Sequence, residues 1–472
     1  MLTGVFTLCT ADAAQPTNDG QAAGTPFEDK VGFGEASENP LFLNIVVPPS
    51  YPSSTQFPVR IYIHGGSVIR SRRLTKVSGF DYAQFIAAER SEVWVNIGYR
   101  LSAFGFLACD EPKIEGNFGF KDQWLALQWV KENINSFGGD ANNIQVTGLS
   151  AGRKCTLPFG RLAVECHSVG FLFSFEEIHT AHFSQCLRSN PKTPQELRSQ
   201  FEAICRALDL DPTSPDVLAT IQDPSKVSFR SITKVIETEK LGLLGTFRGC
   251  LDGKWMSSSP DPMTWQRSGG LARGLLVHGV RSVVIGDLSE EWYLYSIAHP
   301  IEEKSDIVTN LNRYYSQDLT ENMVKLYKDL PDNAGAQAFA RQFGDILSDG
   351  QVHLPVRLLH RDLLSAGYPV LRYEIRWTPE QIRPKGFVTH ATDRVLWAFR
   401  VPVLQSSQVE VAKAWLRIIA AELQKLETEG KSSRGVKEIL TLREDKTIQW
   451  MEDGRWDGVI KKAKAFPGEA RP

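Results

Sequence analysis

The sequence predicts an α/β fold, with a mostly parallel central sheet covered by helices on both faces. Three observations carry that expectation. Short runs rich in β-branched and aromatic residues recur along the chain, and segments with apolar residues at helical spacing separate them. The run "NIQVTG" (143–148) leads straight into Gly148-Leu149-Ser150-Ala151-Gly152. A strand that ends in so glycine-rich a turn belongs to a sheet whose strand ends are built for chemistry.

Taken in order, residues 11 to 40 are rich in Ala, Gly, Asn, Asp and Pro and read as loop. Strands are expected at "LFLNIVV" (41–47), "VRIYI" (59–63) and "EVWVNI" (92–97). "KDQWLALQWVKENIN" (121–135) sets Trp124, Leu127, Val130 and Ile134 on one side of an amphipathic helix. Later strands are "RSVVIGD" (281–287) and "PVLRYEIRW" (369–377). "VEVAKAWLRIIAAELQKLE" (409–427) reads as a long helix, and "EILTLREDKTIQW" (438–450) as a closing hairpin. Neither a repeat nor a low-complexity linker divides the chain. The expectation is therefore one domain over 37–472, preceded by a divergent loop segment at 1–36.

Bulk properties exclude several classes. The 472 residues are 42% hydrophobic and 23% charged, with a formal net charge of −2. That is ordinary globular composition, with no basic run to bind nucleic acid and no apolar run long enough to span a membrane. The seven cysteines are odd in number, irregularly spaced and without a C-x-x-C pair, which argues against a zinc site and a full disulfide framework. The start "MLTGVFTLCTADAAQP" lacks a positive n-region, and no N-x-S/T sequon occurs. A cytoplasmic location is expected, with secretion as the alternative. Oligomeric state is open.

A G-x-S-x-G pattern is short enough to arise by chance, so context decides what Ser150 does. Here a strand precedes it, and glycines on both sides let the turn close and a substrate approach the backbone. Upstream, strand 59–63 ends in His64-Gly65-Gly66-Ser67. A loop of this type offers backbone N–H groups to the oxyanion of an acyl-transfer intermediate, and Ala151 would supply another.

From these motifs the chain resembles the type B carboxylesterases, the cholinesterase-like branch of the α/β-hydrolases, and most of all their fungal members. "GNFGFKDQWLALQWVKENINSFGGDANNIQVTGLSAG" (116–152) is similar to the family's signature region. "SENPLFLNIVVP" (37–48), "NIGYRLSAFGFLA" (96–108), "GDLSEEWYLY" (286–295) and "THATDRVLWAF" (389–399) resemble further blocks in the same order. The resemblance implies an α/β-hydrolase fold and a serine esterase with the triad Ser150, Glu291 and His390. Gly66, Ser67 and Ala151 would form the oxyanion hole, and neither metal nor organic cofactor is needed. Glu290 and Asp287 are fallback acids. Arg100 and Asp122 are expected to form a structural ion pair.

Four departures from the family bear on activity. Pro40 stands where the first disulfide cysteine is usual. The family's opening strands are absent, so the N-terminal part of the sheet is expected to be truncated. Ser67 and Val68 replace the usual Gly-Phe of the oxyanion loop. Finally, the resemblance vanishes over 153–188, a stretch with Arg153 beside the elbow, several aromatics and three cysteines. A misread gene segment and a real divergence are both consistent with it.

These features lead to the expectation of a carboxylic-ester hydrolase, with a catalytically impaired binding or adhesion relative as the alternative. Leu149 replaces the acidic residue that cholinesterases carry before the serine, so an uncharged, apolar ester is the expected substrate. His353 and His360 sit seven apart on a helical segment, "QVHLPVRLLHRDLL", and read as packing or surface residues. His167, His179 and His182 have no metal-ligand spacing around them.

Overall fold

A computed structural model describes residues 11–13, 35–65, 83–149, 192–238, 240–256 and 262–469. Ten strands are present among them. A first sheet is ordered β3 (Leu43–Val46), β5 (Val93–Ile97), β4 (Phe57–Ile63), β6 (Gly139–Gly148). β4 runs parallel to both β5 and β6, whereas β3 closes the edge antiparallel to β5. A second sheet is ordered β10 (Ile448–Glu452), β9 (Glu438–Leu442), β8 (Val370–Ile375), β7 (Val283–Leu288). β7, β8 and β9 are parallel, and β10 is the antiparallel return of the terminal hairpin.

The two sheets share the same two buried clusters. Val59, Ile61, Val95, Val283, Ile285 and Val370 belong to one buried cluster, with Leu127 and Leu359 from the covering helices. Their neighbours on the opposite face, Trp94, Val284, Leu371 and Tyr373, belong to another, with Ile86, Trp397 and Trp415. Every residue of β7 and β8 is buried, the pattern of strands covered on both sides. The expected α/β architecture, parallel in its larger part and helix-covered on both faces, is the observed one.

Helices form where the apolar spacing places them, with edges moved by a few residues. The expected helix at 121–135 is α3, Phe118–Asn133; it buries Leu127 and Val130 and leaves Trp124 half-buried. It begins at Asn117, a residue at φ 55 whose side-chain amide both donates to the Cys250 carbonyl (2.9 Å) and accepts from the Cys250 amide (3.0 Å). The long helix is Ser406–Glu429, ended by Gly430 at φ 66. Its buried stripe is Gln408, Ala412, Trp415, Leu416, Ile419 and Leu426, so Val411 and Ile418 sit at the edge of the contact rather than in it.

Two findings differ from the sequence reading. Within the segment expected to be loop, Ala11–Ala13 (β1) and Glu35–Ser37 (β2) pair in parallel. Pairs this short are held by backbone hydrogen bonds and leave no apolar alternation to read. The helical segment around His353 is also interrupted: Ala336–Ser348 passes through a π turn, Asp349–His353, into Leu354–Ser365. Most of 1–36, where truncation was expected, and all of the divergent stretch 153–188 lie outside the described residues.

Among the described residues no helix is long and apolar enough to cross a membrane, and Cys109, Cys205 and Cys250 are buried.

Candidate active site

The candidate residues all follow the C-terminal ends of parallel strands, the edge where open α/β sheets bind ligands. β4 and β6 are register neighbours, with Ile63 opposite Gly148. Their continuations, His64-Gly65 and Leu149, therefore leave the sheet side by side. Gly66, Ser67, Ser150 and Ala151 lie outside the described residues, as do His167, His179 and His182.

The start of the first loop is firmly held. The His64 ring stacks on Tyr99 at 4.3 Å and 21°, and Tyr99 donates its hydroxyl to the His64 carbonyl at 2.7 Å. Loss of water around the ring, reinforced by the Arg394 charge and partly offset by a contact with the Gly65 carbonyl, lowers His64 to about 4. It is neutral at pH 7 and serves as a packing piece. Arg394 lies four residues after His390, so the start of the loop after β4 is near the segment that follows His390.

Glu291 and His390 come together. His390 Nδ1 lies 2.6 Å from Glu291 Oε2, although 99 residues separate them in the chain. Glu291 is fully buried and His390 is 8% exposed. The other carboxylate oxygen, Oε1, accepts from the Leu288 amide at 3.2 Å. Burial alone would push the Glu291 carboxyl up; His390 beside it, His353 and the Leu288 amide outweigh that and hold it below the usual range. An ionised acceptor at Nδ1 fixes the ring hydrogen there, leaving Nε2 with a lone pair. No described residue hydrogen-bonds Nε2.

Hydrogen bonds from three backbone amides stitch the two segments together. The Glu290 amide donates to the Val388 carbonyl (3.0 Å), the Val388 amide to Glu290 Oε2 (2.7 Å), and the Leu294 amide to Thr389 Oγ1 (3.3 Å). Glu290 is thus occupied as a clamp on the histidine loop. The second fallback acid, Asp287, accepts from His353 Nδ1 at 2.5 Å and from Arg357 Nη1 at 2.9 Å. Of the three acids considered, only Glu291 faces His390.

Asp393 is a fourth carboxyl, three residues beyond His390 and fully buried. Burial first, and the neighbouring Glu291 charge second, push it well above the usual range; Trp397 Nε1 donates to its Oδ2 at 3.2 Å. Its neutral form is therefore the favoured one in this surrounding. The sequence singled out neither Asp393 nor the His353–Asp287 contact. The spacing of His353 and Arg357, one helical turn apart, was the available signal for the latter.

The ion pair expected from the sequence is present: Arg100 Nη2 and Nε contact Asp122 Oδ1 and Oδ2 at 2.6 and 2.7 Å. The described residues contain no cluster of three or more His, Cys, Asp or Glu placed to hold a metal ion.

The sequence profile of the Carboxylesterase family matches residues 6–157. An uncharacterized esterase/lipase of Schizosaccharomyces pombe is 28% identical over 460 residues, covering 91% of this chain and 81% of its own. A carboxylic ester hydrolase of Gibberella moniliformis is 28% identical over 449 residues, with 90% and 80% covered. The chain is thus similar to the carboxylesterase family over its first third and, at 28% identity, to esterases over most of its length.

That family implies the α/β-hydrolase fold, and the largely parallel, helix-covered sheets described above agree with it. Similarity is strongest locally: carboxylesterase 1F of Mus musculus is 38% identical over 148 residues, 31% of this chain and 25% of its own length. Ester hydrolysis is the activity these names share.

Proposed function

We propose that the chain hydrolyses carboxylic esters through an acyl-enzyme formed on Ser150, with His390 as the base and Glu291 as its acid partner. The observation that carries this reading is the 2.6 Å contact between His390 Nδ1 and a fully buried Glu291 carboxylate. A histidine so held is fixed in the tautomer that presents a basic Nε2.

Ser150 Oγ attacks the ester carbonyl while His390 Nε2 takes its proton. The resulting oxyanion is held by the backbone N–H groups of Gly66, Ser67 and Ala151. His390 then returns the proton to the leaving alcohol as the C–O bond breaks. Water, deprotonated by the same nitrogen, attacks the acyl group and frees Ser150. Glu291 stays ionised throughout and stabilises the imidazolium that forms twice per cycle.

Leu149 supports an uncharged, apolar substrate. It is 4% exposed and places a branched alkyl group next to the nucleophile position, with no carboxylate there to meet a cationic substrate. The test is labelling by a fluorophosphonate probe together with hydrolysis of p-nitrophenyl butyrate. Ser150 should be the labelled residue, and Ser150→Ala should lose both signals; a folded protein that takes no label overturns the reading.

A second reading, a binding relative without turnover, is favoured by Ser67 in place of glycine and by Arg153 beside the elbow. It predicts a folded protein inert to both reagents.

A further inference from the structure

Two carboxylates leave the C-terminal end of β7 four residues apart, Asp287 and Glu291, and both are fully buried. Burying two carboxylates at one strand end is costly unless each has its own positive or hydrogen-bonding partner. Glu291 has His390. Asp287 has a histidine of its own, His353, with Nδ1 at 2.5 Å from Oδ2.

The groups around this second pair are charged and mostly buried. Arg357 Nη1 shares the same Asp287 oxygen at 2.9 Å, and Arg455 Nη2 stands 4.0 Å from it. Arg357 Nη2 also reaches Asp453 Oδ2 at 2.9 Å, which Arg372 meets at 2.6 Å. Glu374, the register partner of Asp287 on β8, pairs with Arg455 and with Arg376. Burial tends to push Asp287 up, but Arg357 and then His353 hold it well below the usual range. The carboxylate is therefore an acceptor only, and His353 must carry its hydrogen on Nδ1.

Local structure is spent on putting His353 there. It is the last residue of the π turn Asp349–His353, a wide turn that is rare and often marks functional positions. Tyr327 holds Asp349 by its hydroxyl at 2.5 Å, and Lys462 pairs with the same carboxylate. Gln351 donates to the Tyr315 hydroxyl at 2.5 Å. Gly350 fits against Tyr315 and Met323 with no room for a side chain. The turn is locked from three sides.

We propose that His353 is a positioning residue for Glu291: by donating to Asp287 it balances the second buried carboxylate at this strand end, and so keeps Glu291 an anion aimed at His390. The proposal rests on the esterase reading for its consequence in catalysis. Its structural content is independent of turnover. His353 touches neither substrate nor the reacting atoms; it acts through Asp287 and the β7 end that both acids share.

The test compares His353→Leu with His353→Asn, whose amide retains an N–H donor near the Nδ1 position. Far-downfield proton NMR reads the His390–Glu291 hydrogen bond directly, in protein without substrate. In His353→Leu that resonance should move upfield or broaden, and in His353→Asn it should return towards the wild-type position. In p-nitrophenyl acetate assays, His353→Leu should lower kcat about 10- to 100-fold with KM changed less than about twofold. An unmoved resonance in folded His353→Leu protein overturns the proposal whatever the activity. A wild-type protein that shows the resonance but takes no fluorophosphonate overturns the esterase reading instead.

Discussion

His390 and Glu291 are 99 residues apart in the chain and 2.6 Å apart in space. Their meeting is supported by hydrogen bonds outside the pair itself. Three hydrogen bonds pin residues 290–294 to 388–389, so the imidazole and the carboxylate are presented to each other before they pair. A contact prepared in this way loses little entropy on forming, which makes it a sound support for a base.

Replacing the acid tests that support. Glu291→Gln keeps the shape but offers His390 an amide, so the ring is free to take the tautomer with its hydrogen on Nε2. The expected outcome is a drop in kcat approaching ~10⁴-fold, with KM little changed. Assays on p-nitrophenyl butyrate, with the melting temperature as a control for folding, check it.

The Arg100–Asp122 pair makes a prediction of the opposite kind. Asp122 is buried while Arg100 is partly exposed, so Arg100→Ala leaves a carboxylate with only the backbone amide of residue 100, at 3.0 Å. Removing one partner of a largely buried pair should cost about 3 kcal/mol. Urea unfolding should show that loss, whereas kcat per folded, probe-labelled molecule should stay within about twofold of wild type.

Legibility in the sequence followed the length of each signal. β4, β5, β7 and β8 were visible because buried parallel strands are continuous apolar runs, and α3 because apolar residues recur along one face of its four turns. Glu291 and His390 were reached through family resemblance; nothing local distinguishes Glu291 from Glu290, and only the fold shows that one clamps a loop while the other faces the imidazole. The His353–Asp287 contact was not legible. Its partners lie 66 residues apart, and the π turn that aligns them breaks the helical period by which His353 and His360 were placed on a helix. β1 and β2 escaped for lack of side-chain pattern.

Close packing at Gly286 gives a steric prediction. A Cβ there would run into the Tyr373 ring on the neighbouring strand, one residue before Asp287 and five before Glu291. Gly286→Ala should destabilise the fold by about 1–3 kcal/mol, the usual range for overpacking. Because the displaced strand also carries both acids, kcat should fall as well, in contrast to Arg100→Ala. Urea melts and ester assays on the same preparation separate the two effects.

Stability should fall on the acid side. Asp287, Glu291, Glu92 and Asp453 are all held below their ordinary values; burial opposes this in each case, and cationic neighbours outweigh it. A carboxyl whose folded value lies below its unfolded value adds stability that is fully present above about pH 4 and is lost as pH drops through the folded value. The melting temperature should therefore decline from about pH 5 towards pH 3, and Asp453→Asn should flatten that decline while lowering stability at pH 7.

Asp393 has the reverse sign. Its folded value is raised, burial being the larger cause and the Glu291 charge the next, so the native state binds a proton that the unfolded chain releases above about pH 4. Stability from this group therefore declines as pH rises from about 4 towards the folded value. Asp393→Asn removes the titration and keeps an oxygen to accept from Trp397 Nε1. The variant should be more stable than wild type at pH 8 and close to it at pH 4. A thermal-melt series across that range checks this, and equal stabilisation at both ends would show that the gain came from packing instead of from the proton.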